Sequence, residues 1–261
     1  MDWIDPADPL AETHVQAIID RVAGETPTGK DSENSIFKVR GKELLMCLLA
    51  DLLWSDAPAS EKTLREFRKR VRTPEKQMKG LLGDIQLGSQ SSLARDLAGS
   101  LVDVFTETFS GIYSNANADT QWLSVTAYAD MLSGGSMKSA ELAGGKLTVF
   151  VQIPMDAMRA TPEVARVVIG SLLSAVYRTE GKITGRVLFL LDEVNFLGRL
   201  KGARRRAGRR PQIRHHACAH VAKPRPAGRY LGPGRQTLMV QFVLVAHVRG
   251  GGRQRDGRRG F

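Results

Sequence analysis

Val187–Leu191 reads VLFLL, an apolar run with no polar interruption, and Asp192-Glu193 follows it directly. A run of that kind suits a central strand buried on both faces, where the usual in–out alternation is lost because neither face meets water. Upstream, Lys146–Pro154 (KLTVFVQIP) is β-branched and aromatic, and it is bounded by Gly144-Gly145 and Pro154. Between the two, Thr161-Pro162-Glu163 opens a helix whose face carries Val164, Val168, Leu172 and Val176. Strand, helix, strand predicts a parallel pairing with a right-handed crossover. The fold class expected here is α/β.

The preceding residues have a different texture. Thr13–Ala23 has helical spacing and stops at Gly24. Apolar residues recur at helical spacing from Gly41 to Trp54, and Pro58 lies in the segment that ends this run. Ser60 is positioned to cap a charged helix through Arg70, and Thr73-Pro74-Glu75 reads as another helix start. Leu97, Leu101, Val104, Phe105 and Phe109 form one stripe within Leu93–Tyr113, with a further helical segment at Gln121–Met131. Residues 36–131 therefore read as helix after helix.

Composition excludes several classes. Apolar residues make up 42 % and charged residues 25 %, as in ordinary globular proteins. Cys47 and Cys218 are too few for a disulfide scaffold and suit a reducing compartment. Pro6 and Pro9 break an acidic opening that has no signal-peptide character, and the apolar stretch Leu44–Trp54 contains Asp51 and is too short for a bilayer. The net charge is +11, but residues 202–261 hold fourteen Arg, Lys223 and a single acid, Asp256. That tail accounts for +14 and leaves −3 for residues 1–201, so the basic character is not spread over a fold.

VLFLLDE matches the Walker B pattern, in which a buried strand presents two acids at its carboxyl end, where open α/β sheets bind ligands. In that chemistry Asp192 holds Mg²⁺ through its water shell, and Glu193 orients and deprotonates the attacking water. The plainer alternative is a buried strand followed by two solvated acids. A phosphate cradle is the necessary companion, and Gly24–Lys30 (GETPTGK) fits the spacing GxxxxGK. It is rejected because Asp31 stands where a hydroxyl should meet Mg²⁺, and because a helical pattern precedes it rather than a strand. His215, His216, Cys218 and His220 suggest zinc, but no second ligand cluster completes a site. Gln241–Val248 has strand composition, yet among Gly and Arg it is expected to find little to pair with.

Leu190–Leu200 (LLDEVNFLGRL) resembles the TraG-type coupling proteins of conjugative type IV secretion, a P-loop ATPase family. So do the GGKLTVFVQIP strand, the helix ending in LLSAVYR, and Trp3-Ile4-Asp5-Pro6. The resemblance covers residues 1–201 and is most specific over 144–200. It implies a membrane-anchored, homo-hexameric ATPase of the bacterial inner membrane, facing the cytoplasm, with ATP and Mg²⁺ as cofactors. It further implies a RecA-like motor domain interrupted by an all-α domain, delivering relaxase-bound single-stranded DNA to the secretion channel. On this basis residues 1–35 are expected to be a motor-domain remnant, 36–131 the all-α domain, 132–201 the βαβ part with Walker B, and 202–261 an irregular basic tail.

Two departures from the family shape the expectation. Its membrane helices and P-loop would lie before Met1, so this chain is expected to be cytoplasmic, to bind ATP unproductively, to be inactive and not to form hexamers. After Lys201 the chain turns arginine-rich, and one extra base near codon 202 accounts for that. With permitted codons, Gly202–Gln236 rereads without a stop and yields QSLGQL, which is similar to the family. The competing expectation is a non-catalytic DNA-binding or interaction protein that uses the all-α block and the basic tail.

Overall fold

The computed structural model describes residues 4–24, 32–134, 137–144, 147–178, 186–191, 217–221 and 239–247. It is mostly helical. Helix α1 spans Ala11–Val22, α2 Ser32–Trp54, α3 Leu64–Val71, α4 Glu75–Gly88, α5 Ser92–Val102 and α6 Thr106–Asp119. A 3₁₀ turn at Gln121–Ser124 leads to α7 (Thr126–Ser133) and α8 (Ser139–Gly144). Strand β1 (Thr148–Pro154), α9 (Met155–Ala160), α10 (Pro162–Tyr177), β2 (Arg186–Leu191), β3 (Ala217–Val221) and β4 (Met239–His247) complete the described elements.

Helix α2 organises the helical unit. Leu44, Leu45, Cys47, Leu48, Leu49, Leu52 and Leu53 are all buried, so its second half is apolar around most of its circumference. The helix is packed against α1, α3, α5 and α6. α1 stops as its sequence suggests, at Gly24, whose φ of +71° is a left-handed conformation that glycine adopts at little cost. Two boundaries differ from expectation. α3 is capped by Thr63, whose Oγ1 accepts from the Glu66 amide at 3.2 Å, rather than by Ser60. The stripe over Leu93–Tyr113 is two helices, because the chain turns at Asp103–Phe105 and leaves Phe105 83 % exposed.

The strands form one sheet of order β1-β4-β2-β3. β1 and β2 run in the same direction, as the strand–helix–strand pattern requires, but they are not neighbours. β4 lies between them, antiparallel to both, and β2 pairs in parallel with β3. This corrects two expectations. Gln241–His247 is not isolated, since β4 hydrogen-bonds on both edges, and the tail is not irregular at 217–221 or 239–247. The purely parallel pairing is replaced by a mixed sheet. The reason is that a run rich in Val finds its partners through space, whatever its neighbours along the chain.

Burial within β2 alternates. Val187, Phe189 and Leu191 are buried, whereas Leu190 is 38 % exposed, so the strand is covered on one face and not on both. The covered face packs on α10, with Val151, Ile153, Val164, Ile169, Leu172 and Val176 in the same apolar core.

Two cores result, one helical and one under the sheet, and α10 belongs to both. Its Val167 lies in the helical core while Val164 and Leu172 lie in the other. The indole of Trp122 touches both cores and its Nε1 donates to the Val22 carbonyl at 3.1 Å. A single stripe of α10, Arg166, Gly170, Ser174 and Arg178, meets α1 and its flanks at helical i, i+4 spacing. Arg21 lies across Gly170 and donates from Nη2 to Ser174 Oγ at 2.7 Å. Arg178 donates to Asp8 Oδ2 at 3.1 Å, and Arg166, paired to Glu163, lies beside Gly24. On the other side of α1, Lys42 Nζ donates to Asp20 Oδ1 at 3.1 Å and to the Gly24 carbonyl at 2.7 Å. Charge is buried nearby: Asp119, at the end of α6, has its pKa raised by burial, opposed by Lys38 and Lys42 and reinforced by Glu163.

Two outcomes follow from this joint. A Cβ on Gly170 would lie 2.6 Å from Arg21 Nε, so Gly170→Ala forces the guanidinium off Ser174. The overpacking costs about 1–3 kcal/mol and outweighs the roughly 1 kcal/mol of helix propensity gained. In an Arg21→Ala background the same substitution should turn stabilising, which denaturant midpoints of the four-member cycle will read. For Asp119 the folded pKa lies above the unfolded value, so the ionised group costs stability at neutral pH, and that cost fades as pH falls through the folded pKa. Asp119→Asn should therefore raise the urea midpoint at neutral pH and lose its advantage at pH values below 3.8, the ordinary carboxylate value.

Candidate functional site

The chemistry-bearing end of the molecule is one rim of the sheet. β1, β2 and β3 share a direction, so their carboxyl ends, Pro154, Leu191 and Val221, lie on the same side, and β4 begins there at Met239. In register, Leu191 is the partner of both Val221 and Phe242, and Pro154 that of Met239. The carboxyl side of parallel strands is where ligands are bound in open α/β sheets, because the loops there are free to diverge. α9 and then α10 follow β1 from that rim, with Pro162 at the first helical turn of α10 and Glu163 beside the positive end of its dipole.

Asp192 and Glu193 come next in the chain after Leu191, and both lie outside the described residues. The strand that leads to them has a buried inner face, a parallel neighbour in β3 and an antiparallel neighbour in β4. Gly24, the first residue of the GxxxxGK segment, is among the described residues. Gly24 ends a helix, not a strand, and its carbonyl is taken by Lys42, which is a helix stop and not an amide cradle. Residues 25–31, including Lys30 and Asp31, lie outside the described residues.

The other candidates are placed as follows. Cys218 and His220 fall on β3, whereas His215 and His216 lie outside the described residues. Among the described residues no group of three or more His, Cys, Asp or Glu could hold a metal. Cys47 is fully buried, its Sγ donates to the Ala94 carbonyl at 3.4 Å, and burial followed by the charge of Asp51 pushes its thiol up to about 12. It stays protonated at neutral pH and is not a nucleophile. Arg68 is buried too, but its three contacts (Ser124 Oγ at 2.9 Å, Thr120 Oγ1 at 2.8 Å and the Asn117 carbonyl at 3.2 Å) tie α3 to the end of α6 and the turn that follows it. No described helix is long and apolar enough to cross a membrane.

Sequence reasoning passed over the α1–α10 seam. Its signal was present as Arg166, Gly170, Ser174 and Arg178 at four-residue intervals, a polar and small stripe on a helix whose remaining faces are apolar. Asp119 gave no comparable signal, since burial of an acid depends on how three other helices converge.

Comparison with known proteins bears on the identity of this rim. The family model described as Type IV secretory system Conjugative DNA transfer matches residues 1–207. The match ends close to Lys201, where the arginine-rich segment begins. The chain is 36 % identical over 202 residues to the Conjugal transfer protein TraG of Rhizobium radiobacter, covering 77 % of this chain and 32 % of that protein. It is also 36 % identical over 202 residues to the Type IV secretion system-coupling protein VirD4 of Bartonella quintana, covering 76 % and 32 %. The Bartonella henselae VirD4 is 38 % identical over 202 residues, with 76 % and 32 % covered. The chain thus spans about a third of the length of the curated relatives it matches. No solved structure matches. The match of the family model over residues 1–207, together with coupling proteins that are 36–38 % identical over three quarters of this chain, makes the chain a member of the type IV secretory system conjugative DNA transfer family.

Proposed function

We propose that residues 1–201 are the part of a conjugal-transfer coupling protein that carries the second half of its nucleotide site, with Asp192 and Glu193 as the acids. The observation that carries this reading is β2: a strand buried on its inner face and running directly into those acids within the matched region. On this reading the helical residues 36–131 are the all-α domain inserted in a RecA-like motor, and the sheet unit is a portion of that motor. The assembled protein works at the cytoplasmic face of the inner membrane as a homo-hexamer, hydrolysing Mg²⁺–ATP to pass relaxase-bound single-stranded DNA to the secretion channel. Asp192 contributes a carboxylate to the Mg²⁺ water shell and Glu193 one to the attacking water. This chain by itself does not form hexamers and does not turn over ATP.

A second reading, a non-catalytic DNA-binding or interaction protein, is favoured by one observation. The GxxxxGK segment at Gly24–Lys30 follows a helix and not a strand. The basic residues that follow Lys201 would then bind the DNA backbone.

Two measurements test these readings. Purified chain should show no Mg²⁺-dependent ATP turnover above a Glu193→Gln control; turnover abolished by that substitution would overturn the inactivity. Binding to single-stranded DNA should fall steeply with salt. Replacing Arg204, Arg205, Arg206, Arg209 and Arg210 by Gln should lower the slope of log K against log salt by about 3–4, at roughly 0.7 per phosphate contact on single strands. Deleting residues 202–261 is the wrong tool, because it removes β4 from the middle of the sheet. Affinity that is indifferent to the five substitutions and weakly salt-dependent would instead favour a dedicated site on the helical unit.

A further inference from the structure

The two sides of α10 are fastened to the helical unit in opposite ways. Along Arg166, Gly170, Ser174 and Arg178 the contacts are directional: a guanidinium on Ser174 Oγ and another on Asp8. Roughly 100–240° around the helix, by the 3.6-residue period, lie Val167, Val168, Ser171 and Leu172, which line a cleft of about 180 Å³. Its other walls come from both units: Ile18 and Leu64 from the helical core, Met131 of α7, and Val149 and Val151 of β1. The cleft is half-open to solvent, and its lining is apolar in the larger part, with the hydroxyls of Ser139 and Ser171 among its polar groups. Met131, 45 % exposed, stands at the mouth, and Met side chains adapt to changing gaps.

We propose that the helical unit rocks against the sheet unit about the α1–α10 seam, and that the apolar cleft between α7, β1 and α10 widens and narrows as it does. The seam supplies the axis, because its hydrogen bonds and the close fit of Arg21 over Gly170 are lost by small displacements. The cleft supplies the travel, because narrowing it removes apolar surface from water. Such a joint gives two discrete packings of the same units instead of continuous deformation. It does not depend on nucleotide binding and goes beyond the function proposed above.

The test places spin labels on Cys introduced at Leu87 of α4 and Phe150 of β1, which are 87 % and 64 % exposed. Cys218 is replaced by Ala, and Cys47 needs no change because its buried thiol, pushed up to about 12, does not react. The expected result is a two-peaked label–label distance distribution that collapses to one peak when Ser171→Leu fills the cleft. Should Ser171→Leu fail to fold, Met131→Trp at the mouth is to produce the same collapse. Asp8→Ala, which removes the acceptor of Arg178, should broaden the distribution instead. A single narrow peak in the parent chain overturns the proposal, and so does a two-peaked distribution left unchanged by a cleft-filling variant that melts cooperatively.

Discussion

Arg21 crossing Gly170 is the contact on which the arrangement of the two units turns. A guanidinium buried between helices is expensive unless its donors are met. Here Ser174 meets one, the preceding Asp20 opposes the loss of charge caused by burial, and the missing Cβ of Gly170 provides the space. Because α1 packs its apolar face into the helical core and its charged end against α10, the same helix fixes the register of both cores. The position of β2 relative to the helical unit, and hence of the sheet rim, is set through α10. Trp122, spanning both cores and bonded to the last residue of α1, guards the other end of this contact.

Much of the helical unit could be read from the chain, because its signals are local. Gly24 at the end of α1, Pro162 at the start of α10 and the apolar periodicity of Gly41–Trp54 each act within one or two turns. The errors arose where a local cue had a nearby competitor. Thr63 displaced Ser60 as a cap because three turn residues intervene before α3. The stripe through Phe105 continued on paper although the backbone turned at Asp103, which no side-chain periodicity reports.

The sheet was legible in part, and the reason is range. β1, β2 and the run that becomes β4 announced themselves by composition, but the place of β4 between the other two did not, because strand order is a property of pairing across the whole chain. The continuous apolar run VLFLL was taken as a sign of burial on both faces. Leu190 shows that such a run also occurs where the sheet has one covered face. Of the site itself, the sequence indicated the strand and the acids. The structure adds the direction of β1, β2 and β3 and the common rim, and the relatives add the family.

The central place of β4 has a consequence for how this molecule comes to exist. Thr148 pairs with Val245 and Arg186 with His247, so the sheet cannot close until residues up to 247 have been synthesised. The helical unit, built from contacts between neighbouring helices, can condense on the ribosome well before then. During that interval β1 and β2 wait with bare edges, the configuration most open to pairing with the wrong chain. A cell making this protein therefore has to shelter a half-finished sheet beside a finished bundle, and chaperone demand will track the delay between residues 154 and 239.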